Sequence, residues 1–179
     1  MMKVLVVVDM QNDFVDGSLG TKEAVMITPK VAEKISGFDG KIYCTFDTHF
    51  DDYLNSREGR KLPVEHCISG RSGWELNWRA EQALAGKDRT DVRKVTFGSV
   101  ALPGIIKEDM RKAGETEVQI QFVGLCTDIC VVSNALITKA FFPEADISVD
   151  ASCCAGVTPE AHEAALAVMR SCQIDVIGG

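Results

Sequence analysis

Six short apolar runs punctuate the chain: KVLVVVD (3–9), KIYCTFD (41–47), VRKVTF (92–97), EVQIQFVG (117–124), DISVDA (146–151) and QIDVIG (173–178). They are rich in Val and Ile and bounded by polar residues, as expected of strands buried on both faces. Between them, apolar positions recur at helical spacing in TPKVAEKISG (28–37), LPGIIKEDMRKAG (102–114), DICVVSNALITKAF (128–141) and TPEAHEAALAVMRSC (158–172). Thr28 and Thr158 each precede a proline that suits the first helical position, while Gly37 and Gly114 stand where a helix stops. Strand and helix in alternation predict an α/β fold of three layers: a doubly wound, mostly parallel six-stranded sheet with helices on both faces. Only 48–90 is loop-rich, and so long a loop in a compact domain usually serves function.

Composition narrows the class. With 179 residues, 46% hydrophobic and 25% charged, the chain can bury one substantial core, and a single domain over 1–179 is expected. A formal charge of −7, from 19 basic and 26 acidic residues, with no basic stripe, argues against a nucleic-acid partner. No apolar run approaches the roughly 18 residues of a membrane span. The opening MMKVLVVVDM reaches Asp9 too soon for a signal peptide, so no membrane and a cytoplasmic location are expected. The seven cysteines form no CxxC and several lie in apolar stretches, which favours reduced thiols over a disulfide framework.

In a sheet of this kind, ligands bind beyond the carboxyl ends of the strands. That rule selects Asp9, Asp47 with His49, Lys94, and the stretch from Cys126 to Cys130. Asp47 and His49, two apart on an extended segment, point to the same side, and His66 could complete a ligand set with open positions. A thiol needs a helix N-terminus, a cation or a base to act as a nucleophile. Cys130 follows Thr127 and Asp128, good capping residues, and so falls at the positive end of the helix at 128–141. Taken singly, Asp9 reads first as a strand-end hydrogen bonder, Lys94 as a solvated charge and Cys126 as a small buried hydrophobe, and Trp74 reads at least equally as a packing residue. His162, at helical spacing, reads as a structural or surface residue.

Six segments, VVVDMQNDF (6–14), TFDTH (45–49), LPVEHCISG (62–70), KVTFGS (94–99), GLCTDICV (124–131) and DA (150–151), follow in an order that resembles the isochorismatase-like cysteine hydrolases, most closely the nicotinamidase/pyrazinamidase group. The resemblance implies an isochorismatase-like, Rossmann-like fold and a catalytic set of Asp9, Lys94 and Cys130. It implies an oxyanion hole from the backbone N–H groups of Cys126 and Cys130, a cis Leu125–Cys126 peptide, and a substrate pocket that includes Phe14 and Leu125. It also implies a divalent zinc, iron or manganese ion on Asp47, His49 and His66, no organic cofactor, and a homo-oligomer, either dimer or tetramer. The reaction would cleave the C–N bond of a small carboxamide through a thioester and release ammonia. Two departures stand out. Asn55 replaces a further histidine that some relatives carry, and Pro63 replaces an aromatic residue that walls the ring pocket. Alternative readings are a vinyl-ether hydrolase of the isochorismatase type, which needs no thiol, and a noncatalytic metal- or redox-binding module.

Overall fold

The computed structural model describes residues 1–179. Its strands are β1 (Met2–Val8), β2 (Lys41–Asp47), β3 (Arg89–Lys94), β4 (Val118–Leu125), β5 (Asp146–Ala155) and β6 (Asp175–Ile177). They form one sheet in the order β3-β2-β1-β4-β5-β6, and every neighbouring pair is parallel. The helices are α1 (Asn12–Val15, a single turn), α2 (Lys22–Gly37), α3 (Trp78–Leu84), α4 (Leu102–Ala113), α5 (Val132–Phe141) and α6 (Pro159–Ser171).

The alternation along β1 divides the core. Val4, Val6 and Val8 join one cluster with Leu102 and Ile106 of α4, Ala135 of α5, and Leu166 and Met169 of α6. Leu5 and Val7 join the other with Val31 and Ile35 of α2 and Ala80 and Leu84 of α3. All are buried, and each large side chain so buried contributes roughly 1.5–3 kcal/mol against exposure. The sheet is therefore covered on both sides, and no helix is long and apolar enough to cross a membrane.

Glycine matters most at Gly124. With φ at +117°, it passes so close to β1 that an added Cβ would stand 2.1 Å from the Val8 carbonyl oxygen. The turn after β4 is thereby brought against the end of β1, where Asp9 lies.

Several boundaries differ from expectation. The second helix begins at Lys22, six residues before Thr28, because Thr21 is the cap and accepts from the Ala24 N–H at 3.0 Å. Pro29 lies inside that helix, and the Thr28 hydroxyl donates back to the Ala24 carbonyl at 2.8 Å. β3 runs three residues earlier than 92–97. Pairing with β2 from Ile42–Arg89 to Asp47–Lys94 sets its register, leaving Val95 and Phe97 beyond the strand and exposed. As an edge strand it needs few apolar side chains, so its polar start carried no sequence signal. β5 continues to Ala155 past an irregularity opposite Phe122 and Gly124. The segment 128–141 divides into a π-helical turn, Thr127–Val131, and α5.

Candidate active site and metal centre

The strand order places β3, β2, β1 and β4 side by side, so residues leaving their carboxyl ends converge. Asp9 follows β1 in a left-handed conformation, φ 46°. Its N–H donates to the Thr45 carbonyl at 3.2 Å, and its Oδ1 accepts from the Thr45 hydroxyl at 2.6 Å. Lys94 ends β3 in register with Asp47. Its Nζ stands 2.6 Å from Asp9 Oδ2, 3.5 Å from Asp47 Oδ1 and 3.6 Å from Cys130 Sγ. Asp9, Lys94 and Cys130 are all buried.

Burial decides the electrostatics of this group. Desolvation pushes the Asp9 carboxyl up, against the pull of the Lys94 ammonium. Burial would lower Lys94, yet Asp9, Cys130 and Asp47 hold it above its ordinary value, so it keeps its charge. Desolvation and the Asp9 charge raise the Cys130 thiol well above the usual range. Lys94 is thus an ammonium beside a thiol that burial keeps protonated, with the Asp9 carboxyl, itself raised by burial, on the other side of the ammonium. Proton transfer to Asp9, rather than a standing thiolate, is the chemistry these groups can support.

Cys130 sits in the π-turn ahead of α5, one step short of the regular helix expected there. The preceding Leu125–Cys126 peptide is cis. The Cys126 carbonyl accepts from the N–H groups of Ile129 at 3.1 Å and Val131 at 3.0 Å, which shapes the turn. Burial raises the Cys126 thiol to about 12. Thr127 Oγ1 and His162 Nδ1 lie 2.8 Å apart, so His162 braces the turn from α6.

The second cluster adjoins the first through Asp47. Asp47 Oδ2 lies 3.1 Å from His49 Nε2 and 3.5 Å from His66 Nε2, and Glu58 Oε1 lies 3.7 and 3.9 Å from the same nitrogens. One ligand atom from each of these four residues falls within 4.8 Å of the others. Two imidazoles and two carboxylates suit a divalent ion. His66 Nδ1 pairs with the Val64 carbonyl at 2.8 Å, which leaves Nε2 toward the cluster. Burial works to raise Asp47, but His49, His66 and Lys94 outweigh it and hold the carboxyl below its ordinary value. Asp47 in turn raises His66 against the effect of burial. Glu58 is pushed up by burial and by Asp47.

The loop-rich segment is held by side chains from elsewhere. Gln11 accepts from the Asp47 N–H at 2.8 Å and donates to the carbonyls of Asp47 at 2.9 Å and Trp74 at 2.8 Å. Asp13 Oδ2 accepts from the Cys67 N–H at 2.7 Å, and Gly73 packs against that carboxylate so closely that no Cβ would fit. The Tyr53 ring lies 4.6 Å from His49 and 5.0 Å from His66.

All six residues predicted for catalysis and metal binding meet in this region, but the predicted pocket residues separate. Phe14 packs 5.6 Å from the His66 ring with little surface showing, and Leu125 is fully buried in the core, so its side chain lines no accessible cavity. Trp74 is a packing residue: it lies 5.1 Å from Phe46, is covered by Arg93, and donates to Thr48 at 3.0 Å. Asn55 is exposed on a 3-10 turn, and Glu58, three residues on, occupies the cluster instead. A cleft of about 820 Å³ opens over His49 and Glu58, walled by Leu62, Val95, Thr96, Phe97, Ile129 and Ser133. Pro63 is outside that wall, whose aromatic member is Phe97. Sequence reasoning missed Glu58 and Gln11. The acidic residue three after Asn55 and the glutamine two after Asp9 were the available signals.

A doubly wound parallel sheet with a buried acid, ammonium and thiol at its switch point, beside a histidine–carboxylate cluster, defines a hydrolase of the α/β type. The Isochorismatase domain family matches residues 3–179, and the chain belongs to that family of hydrolases. It is similar to the nicotinamidase/pyrazinamidase of Mycobacterium tuberculosis, 27% identical and covering 98% of both chains. Among solved structures it resembles the nicotinamidase/pyrazinamidase of Bacillus subtilis, with TM-score 0.80, 26% identity, and 98% and 99% of the two chains covered. It also resembles the pyrazinamidase of Pyrococcus horikoshii in complex with zinc, with TM-score 0.78, 28% identity and full coverage of both chains.

Proposed function

We propose that the protein is a cysteine amidohydrolase that cleaves the C–N bond of a small primary carboxamide and releases ammonia. The observation that carries this reading is the position of Lys94 Nζ, in contact with both Asp9 Oδ2 at 2.6 Å and Cys130 Sγ at 3.6 Å. A vinyl-ether hydrolase needs no thiol, and nothing at the site favours that alternative. The names of the relatives, nicotinamidase and pyrazinamidase, supply the substrate class.

Cys130 Sγ bonds to the carbonyl carbon as its proton passes to Asp9. The carbonyl oxygen takes the negative charge beside the N–H groups of Cys126 and Cys130. Asp9 then gives the proton to the amide nitrogen, the C–N bond breaks, and ammonia leaves a thioester. Water adds to the thioester carbon and yields a proton to Asp9. The C–S bond breaks, the sulfur recovers the proton, and the carboxylic acid departs. Lys94, charged throughout, keeps the Asp9 carboxylate oriented and limits the upward push of burial on its proton affinity.

Asp47, His49, Glu58 and His66 would hold a divalent zinc, iron or manganese ion, which would supply a Lewis-acidic docking point for a substrate lone pair. No organic cofactor enters the reading. The reading extends to a cytoplasmic dimer or tetramer. The seven free cysteines are compatible with a reducing compartment, and light scattering checks the assembly.

Ammonia release from a panel of primary amides tests the function. Nicotinamide should be hydrolysed, and its rank among the amides reports whether Phe97 serves as the ring wall that residue 63, a proline outside the cleft, does not supply. No ammonia from any amide would end the proposal.

A further inference from the structure

One buried side chain joins the reactive turn to the wall of the cleft. Asn134 lies on α5 four residues after Cys130 and has no accessible surface. Its Oδ1 accepts from the Ser99 N–H at 2.9 Å. Its Nδ2 donates to the Cys130 carbonyl at 2.8 Å and the Phe97 carbonyl at 3.2 Å. An asparagine is a poor residue for a helix interior, since its side chain competes for backbone groups. Here that competition links two segments: the turn holding the nucleophile and the stretch after Lys94 that forms the lip of the cleft. Val95, Thr96 and Phe97 of that lip line the cleft, and Phe97 remains 44% exposed.

A separate feature shows how closely the lip is seated on α5. A Cβ added at Gly98 would come within 2.6 Å of Ile137 Cδ1 and 3.2 Å of Ser133 Cβ. Phe97 and Ser99, on either side, are the residues that Asn134 binds. Ser99 Oγ also accepts from the Leu102 N–H at 3.2 Å, which ties the far end of the lip to α4.

We propose that Asn134 is a positioning residue that holds the Cys130 peptide and the Phe97 lip as one unit. It sets the distance between the attacking sulfur and the wall against which a flat acyl group of the substrate rests. The proposal relies on the reading of Cys130 as nucleophile. It adds a specificity element, the lip, whose geometry depends on the same side chain as the thiol's. An acyl group that is planar and ring-sized would contact both, whereas a short aliphatic amide would feel only the thiol.

Asn134→Asp keeps the acceptor for Ser99 and removes both donors, while Gly98→Ala lifts the lip and leaves Asn134 in place. A misplacement near 1 Å costs on the order of 10²-fold in rate. In folded Asn134→Asp, kcat for nicotinamide should therefore fall about 10- to 100-fold, the iodoacetamide labelling rate of Cys130 should change, and KM should rise more for nicotinamide than for propionamide. In Gly98→Ala, the KM split should appear while the labelling rate stays at the wild-type value. A purely structural Asn134 would lower the melting temperature and leave the per-molecule kinetics and labelling unchanged, which overturns the proposal. If Asn134→Asp fails to fold, Gly98→Ala decides: a KM that rises more for nicotinamide than for propionamide supports the lip, and unchanged kinetics reject it. If the wild-type protein releases ammonia from neither amide, the amidase reading falls by itself. The labelling rates and the affinities of nicotinate and propionate, measured calorimetrically, then decide whether Asn134 and Gly98 govern the thiol and the lip.

Discussion

The two charged clusters are neighbours, linked by the 3.5 Å approach of Lys94 to Asp47, yet they are built differently. Asp9 and Lys94 lie at or just beyond strand ends, and Cys130 lies in the turn directly after β4, so the sheet's own hydrogen bonds locate all three. The histidine–carboxylate cluster takes only Asp47 from a strand. His49, Glu58 and His66 come from irregular chain, and their positions depend on Gln11, Asp13 and Tyr53. The first cluster is buried, and its groups tune one another; the second opens onto the cleft through His49 and Glu58. Rigidity is inherited from the sheet in one case and assembled from remote side chains in the other. Reaction chemistry and ion binding should therefore be separable by mutation.

The largest effect should come from Cys130→Ala, which removes the covalent route. Ammonia release should drop by several orders of magnitude, with folding and metal content by elemental analysis unchanged. Loss of metal in this variant would show that the clusters are not separable.

Lys94→Met should be nearly as severe and should also affect stability. It leaves the fully buried Asp9 carboxylate without its cation, and breaking a buried pair costs about 3–5 kcal/mol. Urea unfolding measures this. The Asp9 carboxyl is raised in the folded chain by burial, so its charge is lost as pH falls, at a pH above that of an ordinary carboxylate. The acid limb of kcat/KM should lie correspondingly high, and any activity that survives in Lys94→Met should show that limb moved further up. A downward move would reverse the assigned role of the ammonium.

On the other cluster, His49→Ala should lower the metal content, and Glu58→Gln should lower it less, as one carboxylate charge is lost. Both should leave Cys130 open to iodoacetamide. Unchanged metal in His49→Ala would count against the site. The smallest effect is expected from Cys126→Ala. Its backbone shapes the turn and its thiol is held protonated, so most of the activity should remain, with Cys130 still the residue protected by substrate in mass mapping.

Much of this was legible from sequence because the relevant signals are local. Apolar runs set the strands, helical spacing and the Thr158 cap set α6, and strand ends located Asp9, Asp47, Lys94 and Cys130. What local patterns could not supply was the identity of partners remote in the chain. Thr21 overrode the Thr–Pro signal at 28 because the cap that starts a helix is the one its N-terminal N–H groups reach. β3 was displaced because an edge strand takes its register from β2, not from its own apolar residues. Glu58, Gln11 and Asn134 are ordinary polar residues by composition. Their roles exist only through contacts with residues brought near by folding: Glu58 beside His49 and His66, Gln11 on Asp47, Asn134 on Ser99 and Phe97. Periodicity determined the layers of this protein because burial acts on every turn and strand. The site required tertiary structure, because a hydrogen bond or a ligand set is a relation between segments that no single segment encodes.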